Sequence, residues 1–133
     1  MSNYRVYLQS NEWRNRHATW LNKCDNRDLL LPWKRIGYVG GRYYPYSMHH
    51  MNREAYESRG HEEIFWHIAP VSRDTHAYWF HNVLSHGKGR VSEQEVFPTI
   101  LQSCANQICR LNYGLIQCWR LIKWLRRSLT KAP

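Results

Sequence analysis

From residue 101 to residue 129, apolar side chains recur at 101, 104, 108, 111, 115, 118, 122, 125 and 129. Steps of three and four residues trace one face of an α-helix, so this part of the chain is predicted to be helical. Pro98 suits the first helical turn, where a missing N–H is tolerated. Gly114 would either separate two helices or kink a single long one. No acidic residue follows Glu95, whereas Arg110, Arg120, Lys123, Arg126, Arg127 and Lys131 do. Arg120, Lys123, Arg127 and Lys131 recur at helical spacing opposite the apolar stripe.

The chain has 133 residues, which argues for one domain with room for a core. Its formal charge of +9 favours a polyanionic partner, nucleic acid first and an anionic membrane surface second. No apolar run approaches the ~20 residues needed to span a bilayer, and "MSNYRVYLQSNEW" has no apolar signal-peptide core. The four cysteines, Cys24, Cys104, Cys109 and Cys118, form no Cys-x-x-Cys pair. Buried thiols in a reducing compartment are expected, hence a cytoplasmic protein.

Upstream, "SNEWRNRHATWLNK" (10–23) reads as a helix with Ser10 as N-cap and Trp13, His17, Trp20 and Leu21 on one side. Asp25, Asn26, Pro32 and Gly40-Gly41 mark turns. Residues 42–48 suit a strand, with Pro45 arguing for an edge. Gly60 breaks a polar stretch, 64–71 suits a second strand, and 72–86 suits a helix capped by Ser72 or Asp74. The Trp-rich stretch 13–33 is expected to be core. His17, His61 and His86 are expected to pack or face solvent.

Most of the eight histidines fall between 49 and 86. His49 and His50 are adjacent at the end of the first strand, where alternation points them to opposite faces. His76 stands 27 residues after His49, on the following helix. Two imidazoles so placed could hold one divalent cation and leave positions for water and a phosphate oxygen. His50, with an ordinary pKa of ~6.5, would then suit a general base.

The stretch "YSMHHMNREAYESRGHEEIFWHIAPVSRDTHAYWFH" resembles the HNH endonuclease motif, the ββα-metal fold: a strand ending in His-His, a loop with Tyr56, Gly60 and Glu62, then "HIAPVSRDTH" leading into a helix. "YLQSNEWRNRHATWLNKC" resembles the helix that precedes the motif. The resemblance spans roughly residues 7–86 and implies an α+β fold. It divides the chain into an N-terminal helix and loop over 7–41, a ββα-metal core over 42–86 and a basic extension of amphipathic helices over 97–131. It implies metal-dependent hydrolysis of phosphodiester bonds in double-stranded DNA. His49 and His76 match the metal ligands and His50 the general base. His67 stands where an Asn usually orients that base, so its side chain or carbonyl would hold the His50 ring. His81 matches a further ligand of some members, although five residues turn an α-helix by about 500°, which leaves its ring out of line with His76.

Ser72 and Thr75 occupy the positions of a zinc-binding cysteine pair, with Cys24 a remnant of another. A structural zinc should therefore be absent, and the aromatic residues are expected to hold the motif together. The resemblance implies one divalent cation, Mg or Mn, whereas imidazole softness alone favours Mn, Ni, Co or Zn. Arg42, Arg53, Arg73, Lys88 and Arg90 flank the motif and, with Arg120, Lys123 and Arg127, are the candidate phosphate contacts. Trp124 could stack on or wedge between bases. Two other readings fit the same residues. One keeps the fold and nucleic-acid grip without catalysis. The other uses "CWRLIKWLRRSL" as a basic amphipathic helix for a membrane surface or a partner helix. The apolar stripe would equally serve a homodimer through the C-terminal helices.

Overall fold

Helix α1 spans Asn3–Leu8 and α2 spans Asn11–Lys23. Ser10 separates them and caps α2, its Oγ accepting from Trp13 N at 3.1 Å, as its place before the apolar-periodic run suggested. Helix α1 was not anticipated. The computed structural model describes residues 3–52, 55, 57, 58, 60–85 and 99–130.

Strands β1 (Gly37–Val39) and β2 (Arg42–Tyr44) form an antiparallel hairpin. Gly40 and Gly41 close it with φ of 59° and 80°, the left-handed pair that a two-residue hairpin turn requires. The strand expected over 42–48 is two strands. Pro45 lies between β2 and β3 (Tyr46–His50), and β3 pairs with β4 (Ile68–Ser72) in a separate antiparallel sheet. Within that sheet His49 stands opposite Ala69 and His50 opposite Ile68. The second strand starts at 68 rather than 64, because residues 64–67 form a tight turn. Phe65 lies there at a φ of 87°, while His67 N and Ile68 N both donate to the Glu63 carbonyl, at 2.9 and 3.1 Å.

The helix expected over 72–86 is a π-helix from Thr75 to Val83. Ser72 caps it, its Oγ accepting from Thr75 N at 3.1 Å; Asp74 makes no side-chain cap. The C-terminal helix, α3, runs unbroken through Gly114 from Ile100 to Thr130, about 46 Å at 1.5 Å per residue. Pro98 lies outside the described residues. The whole is a mixed α+β architecture of two small antiparallel sheets and a long C-terminal helix. Among the described residues no helix is long and apolar enough to cross a membrane.

The core joins Trp13, Trp20 and Leu21 of α2 to Met48 of β3, Ile68, Ala69 and Val71 of β4, Phe80 of the π-helix, and Ala105 and Cys109 of α3. Trp33 departs from the expected Trp-rich core and is exposed. Helix α3 buries Gln102, Ala105, Asn106 and Cys109. An amphipathic helix ordinarily buries its apolar stripe; α3 instead packs through a neighbouring face and leaves the stripe outside.

A single carboxylate pins the second hairpin. Asp28 is fully buried. Its Oδ1 accepts from Leu30 N and Leu31 N, both at 2.9 Å. Its Oδ2 accepts from Ser72 N at 2.8 Å and from the Thr75 hydroxyl. The Thr75 proton points at Asp28, so Ser72 Oγ donates to Thr75 Oγ1, 2.8 Å away. Leu29 N also donates to the Pro70 carbonyl at 3.0 Å, laying the loop along the open edge of β4. Aromatic rings do pack on the motif, Trp13 on His50 and Phe80 on His49, and beside them a hydrogen-bonded carboxylate, not anticipated, stands at the junction with Ser72 and Thr75 as its partners. Cys24 lies buried nearby, its Sγ donating to Leu21 O at 3.3 Å, and burial pushes its thiol pKa up to about 12.

On the other side, buried Glu62 takes an ion pair from Arg16 and a hydrogen bond of 2.8 Å from the Tyr7 hydroxyl. That hydroxyl also accepts from Gly60 N at 2.9 Å. Gly60 has a φ of 76°, and a Cβ there would stand 2.7 Å from Glu12 Oε1, so the loop requires glycine at this point. Helices α1 and α2 therefore grip the long loop between β3 and β4.

Replacing Asp28 by Ala strands several buried donors at once. Each hydrogen bond to a charged group is worth about 1.5–3 kcal/mol, and the losses are not additive. Urea denaturation of Asp28→Ala should show a loss of roughly 3–5 kcal/mol, where a surface substitution such as Arg42→Ala stays within about 0.5 kcal/mol.

Candidate functional site

Strand alternation sends the two adjacent imidazoles to different neighbours. His49 is buried, its ring stacked on Phe80 of the π-helix with centres 3.7 Å apart. His50 stacks on Trp13 of α2, with centres 5.5 Å apart and planes inclined by 11°. The two rings lie on opposite faces, as strand alternation leads one to expect: one meets the π-helix and α3, the other meets α2.

Asn106 of α3 sets the protonation of His49. Its Nδ2 donates to the Met51 carbonyl at 2.8 Å, which turns its Oδ1 toward His49 Nε2, 3.1 Å away. A carbonyl oxygen only accepts, so Nε2 carries the proton and Nδ1 keeps the ring's lone pair. This is the arrangement found behind metal-binding histidines, where an outer acceptor fixes tautomer and orientation. One turn earlier, Gln102 donates Nε2–H to the Phe80 carbonyl at 2.7 Å. Sequence reading missed both residues. The available signal was two amides four residues apart, hence on one helical face, beside the apolar stripe.

The π-helix decides the place of His81. Its hydrogen bonds run from i to i+5, so residues five apart stack one above the other. His81 comes alongside His76, with ring centres 4.4 Å apart and the two Nε2 atoms 3.2 Å apart. The misalignment expected from an α-helix is corrected by this wider turn. The His49 ring adjoins the pair, its centre 5.6 Å from that of His76. Ligand bonds of ~2.0–2.1 Å at tetrahedral to octahedral angles put neighbouring ligand atoms about 3.0–3.4 Å apart, so His76 and His81 stand at a chelating distance. Among the described residues no set of three or more His, Cys, Asp or Glu side chains forms a ready cation site. The two nitrogens are within hydrogen-bond distance of each other, and His49 would need to approach for the three rings to share a cation.

The His67 ring is engaged within the turn itself. Its Nδ1 accepts from Glu63 N at 3.1 Å, and Nε2 lies 3.5 Å from Ser58 Oγ. Its carbonyl accepts from Met51 N at 2.9 Å, which holds the chain immediately after His50. The carbonyl thus bonds the backbone next to His50 and not the His50 ring, the partner anticipated for this position.

The basic candidates are dispersed. Arg42 lies over the Tyr44 ring, 5.2 Å from its centre. Arg73 is exposed where β4 leads into the π-helix. Arg120 donates to the Asn22 and Lys23 carbonyls at 2.9 and 3.1 Å, so it fastens α3 to the end of α2. Lys123 sits 5.3 Å over the Trp119 ring, and Arg127 is exposed. Arg53, Lys88 and Arg90 lie outside the described residues. Arg110, which sequence reading left unassigned, holds the Phe65 carbonyl through Nε at 2.9 Å. A separate cleft of about 340 Å³, lined by Arg16, Thr19, Trp20, Lys23, Gly60, His61, Glu62 and Glu63, contains none of the predicted site residues.

Burial pushes the His50 pKa down to about 4. Burial, and then the neighbouring His76, hold His49 well below the usual imidazole range. Burial also lowers His17, whose Nε2 has no hydrogen-bond partner among the described residues. All three rings are neutral at pH 7. No protein-family model matches the chain, and neither a curated protein nor a solved structure matches it.

The linkage has a definite sign. Unfolded imidazoles take a proton near pH 6.5, whereas in the fold His50 does so only near 4. Between those values the unfolded chain binds more protons, so stability falls as pH drops. Urea midpoints measured from pH 7.5 to 4 should decline below about 6.5. Replacing His50 with Phe should make the decline shallower, with His49 and His17 still contributing to it.

Proposed function

We propose that the chain is an HNH-type endonuclease, cutting phosphodiester bonds of double-stranded DNA with one divalent cation, in the cytoplasm. The observation that carries this reading is the meeting of His76 and His81 at 3.2 Å beside the His49 ring. A β3–loop–β4–helix order brings together residues far apart in sequence, and the π-turn adds the third. The formal charge of +9 supports a polyanionic substrate. Four free cysteines are consistent with a reducing compartment.

His76 and His81 would hold the cation, with His49 as third ligand. Mg or Mn is preferred for this chemistry, and the imidazoles also accept Ni, Co or Zn. Bound there, the cation would act as a Lewis acid for the phosphate oxygens. Asn106 keeps His49 in the tautomer that leaves Nδ1 basic. His50 is neutral at pH 7 and would take the proton from water, as a weaker base than a free imidazole because burial lowers its pKa to about 4. The bond from Met51 N to the His67 carbonyl steadies the strand end that carries His50. Arg73, with Arg42 and Arg127, supplies positive charge for the DNA backbone.

A second reading has its own observation. His50 is stacked on Trp13 and turned toward α2, away from the face that His49 shares with His76. A base so placed has to reach the phosphate around the end of β3. If it does not, the protein grips nucleic acid without cutting it.

Plasmid nicking with Mg or Mn separates the two. The wild type should nick, and His50→Ala and His76→Ala should each slow cleavage by about 100-fold or more, while gel shifts with the same DNA stay comparable. Equal inactivity of wild type and His50→Ala, with both still shifting DNA, establishes the binding protein. Asn106→Leu should lower cleavage and Mn affinity by about 10–100-fold through loss of the His49 tautomer.

A further inference from the structure

The outward stripe of α3 follows a stricter rule than amphipathicity. Its steps alternate three, four, three, four without exception from Leu101 to Leu129. That is a 3.5-residue period, the a and d positions of four successive heptads. With a at 101 and d at 104, the a positions are all Leu or Ile, and d alternates Cys with Leu. Every one of these nine side chains is exposed, from 42% at Ile122 to 76% at Leu129 among the Leu and Ile residues. The body packs against b, e and f positions instead, through Gln102, Ala105, Asn106 and Cys109.

We propose that this seam is covered by a second copy of the same chain, in an antiparallel two-stranded coiled coil. Three observations select that occupant. A seam repeating every seven residues drifts around a straight helix and stays in contact only with a helix that supercoils with it. Trp119, Leu121 and Trp124 are exposed beside the seam as well, so a lipid surface, which asks for a broad apolar arc with cationic flanks, is the rival occupant that vesicle co-sedimentation separates.

The seam is also nearly free of charge. Among its e and g positions Arg126 alone is charged, and the other cations of the helix fall at b, c and f. Charges at e and g choose partners and exclude wrong ones. Their near absence lets a strongly basic chain meet its own copy without repulsion at the contact. An acidic partner helix would find little to recognise there.

The end of the helix needs support as well. From Leu121 to Thr130 every residue is exposed. Isolated helical segments shorter than about 12–15 residues are marginal in water, so this overhang calls for a neighbour along its length.

Orientation follows from side-chain size and charge. In a parallel pair d faces d′, which would set Cys104 and Cys118 against their own copies in thin layers. In an antiparallel pair a faces d′, so each cysteine meets a Leu or Ile, and large fills the space left by small. The antiparallel arrangement also keeps the two C-terminal clusters of Arg120, Lys123, Arg126 and Arg127 apart. This gives the homodimer expected from sequence a definite geometry, independent of any catalytic activity.

Sedimentation equilibrium of the full chain at tens of micromolar should give a dimer. Leu115→Asp and Ile122→Asp should each convert it to a monomer with an unchanged urea midpoint for the body, since both positions are exposed in the single chain. Oxidation of the wild type with copper phenanthroline should give no covalent dimer. A monomeric wild type, or a dimer that survives both substitutions, overturns the proposal. So does a disulfide joining Cys104 to its own copy, or Cys118 to its own copy, identified by peptide mapping, which requires the parallel form. Co-sedimentation of a monomer with neutral phosphatidylcholine vesicles overturns it in favour of a lipid surface.

Discussion

The buried carboxylate of Asp28 holds together parts that could not otherwise stay in register. A two-stranded sheet of five-residue strands is at best marginal alone in water. Here the loop after α2 reaches the open edge of β4 and the first turn of the π-helix. One acceptor-only group satisfies donors from both sides. Two of those donors are backbone N–H groups of its own loop, one is the backbone of Ser72, and one is the hydroxyl of Thr75. The result fixes where the π-helix begins, and therefore where His76 stands relative to His49.

Above that anchor, the histidine site is assembled from three elements that contribute different things. Strand β3 supplies His49 and, by alternation, turns His50 away from it. The π-helix supplies His76 and His81, and its i to i+5 pattern makes them neighbours. Helix α3 supplies no ring but orders both groups: Gln102 takes the Phe80 carbonyl in the wide helix, and Asn106 orients His49. The same helix thereby presents its polar and small residues inward and its apolar heptads outward. Site order and the exposed seam are two consequences of one choice of face.

Several features were legible because their causes are local. Ser10 before a periodic run caps α2, and paired glycines at 40 and 41 close a hairpin. The 27-residue separation of His49 and His76 spans a loop, a strand and a helix start. Other features were not. Pro45 argued for an edge but not for a change of sheet. His81 looked misplaced because the wider helical turn has no signature in the residues 75–83 themselves. Asp28 drew no reading at all, since nothing near it in sequence reveals that its partners Ser72 and Thr75 lie 44 and 47 positions ahead.

Composition and period were enough for a basic chain with a helical C-terminal stretch, adjacent imidazoles on opposite sides of a strand, and no Cys-x-x-Cys pair. These depend on intervals of a few residues, where backbone geometry leaves few options. Which face of α3 is buried, which ring approaches His76, and what replaces the missing cysteines were decided only by the tertiary structure. Each depends on competition among distant groups for buried hydrogen-bond partners and core volume, and no local interval encodes the outcome of that competition.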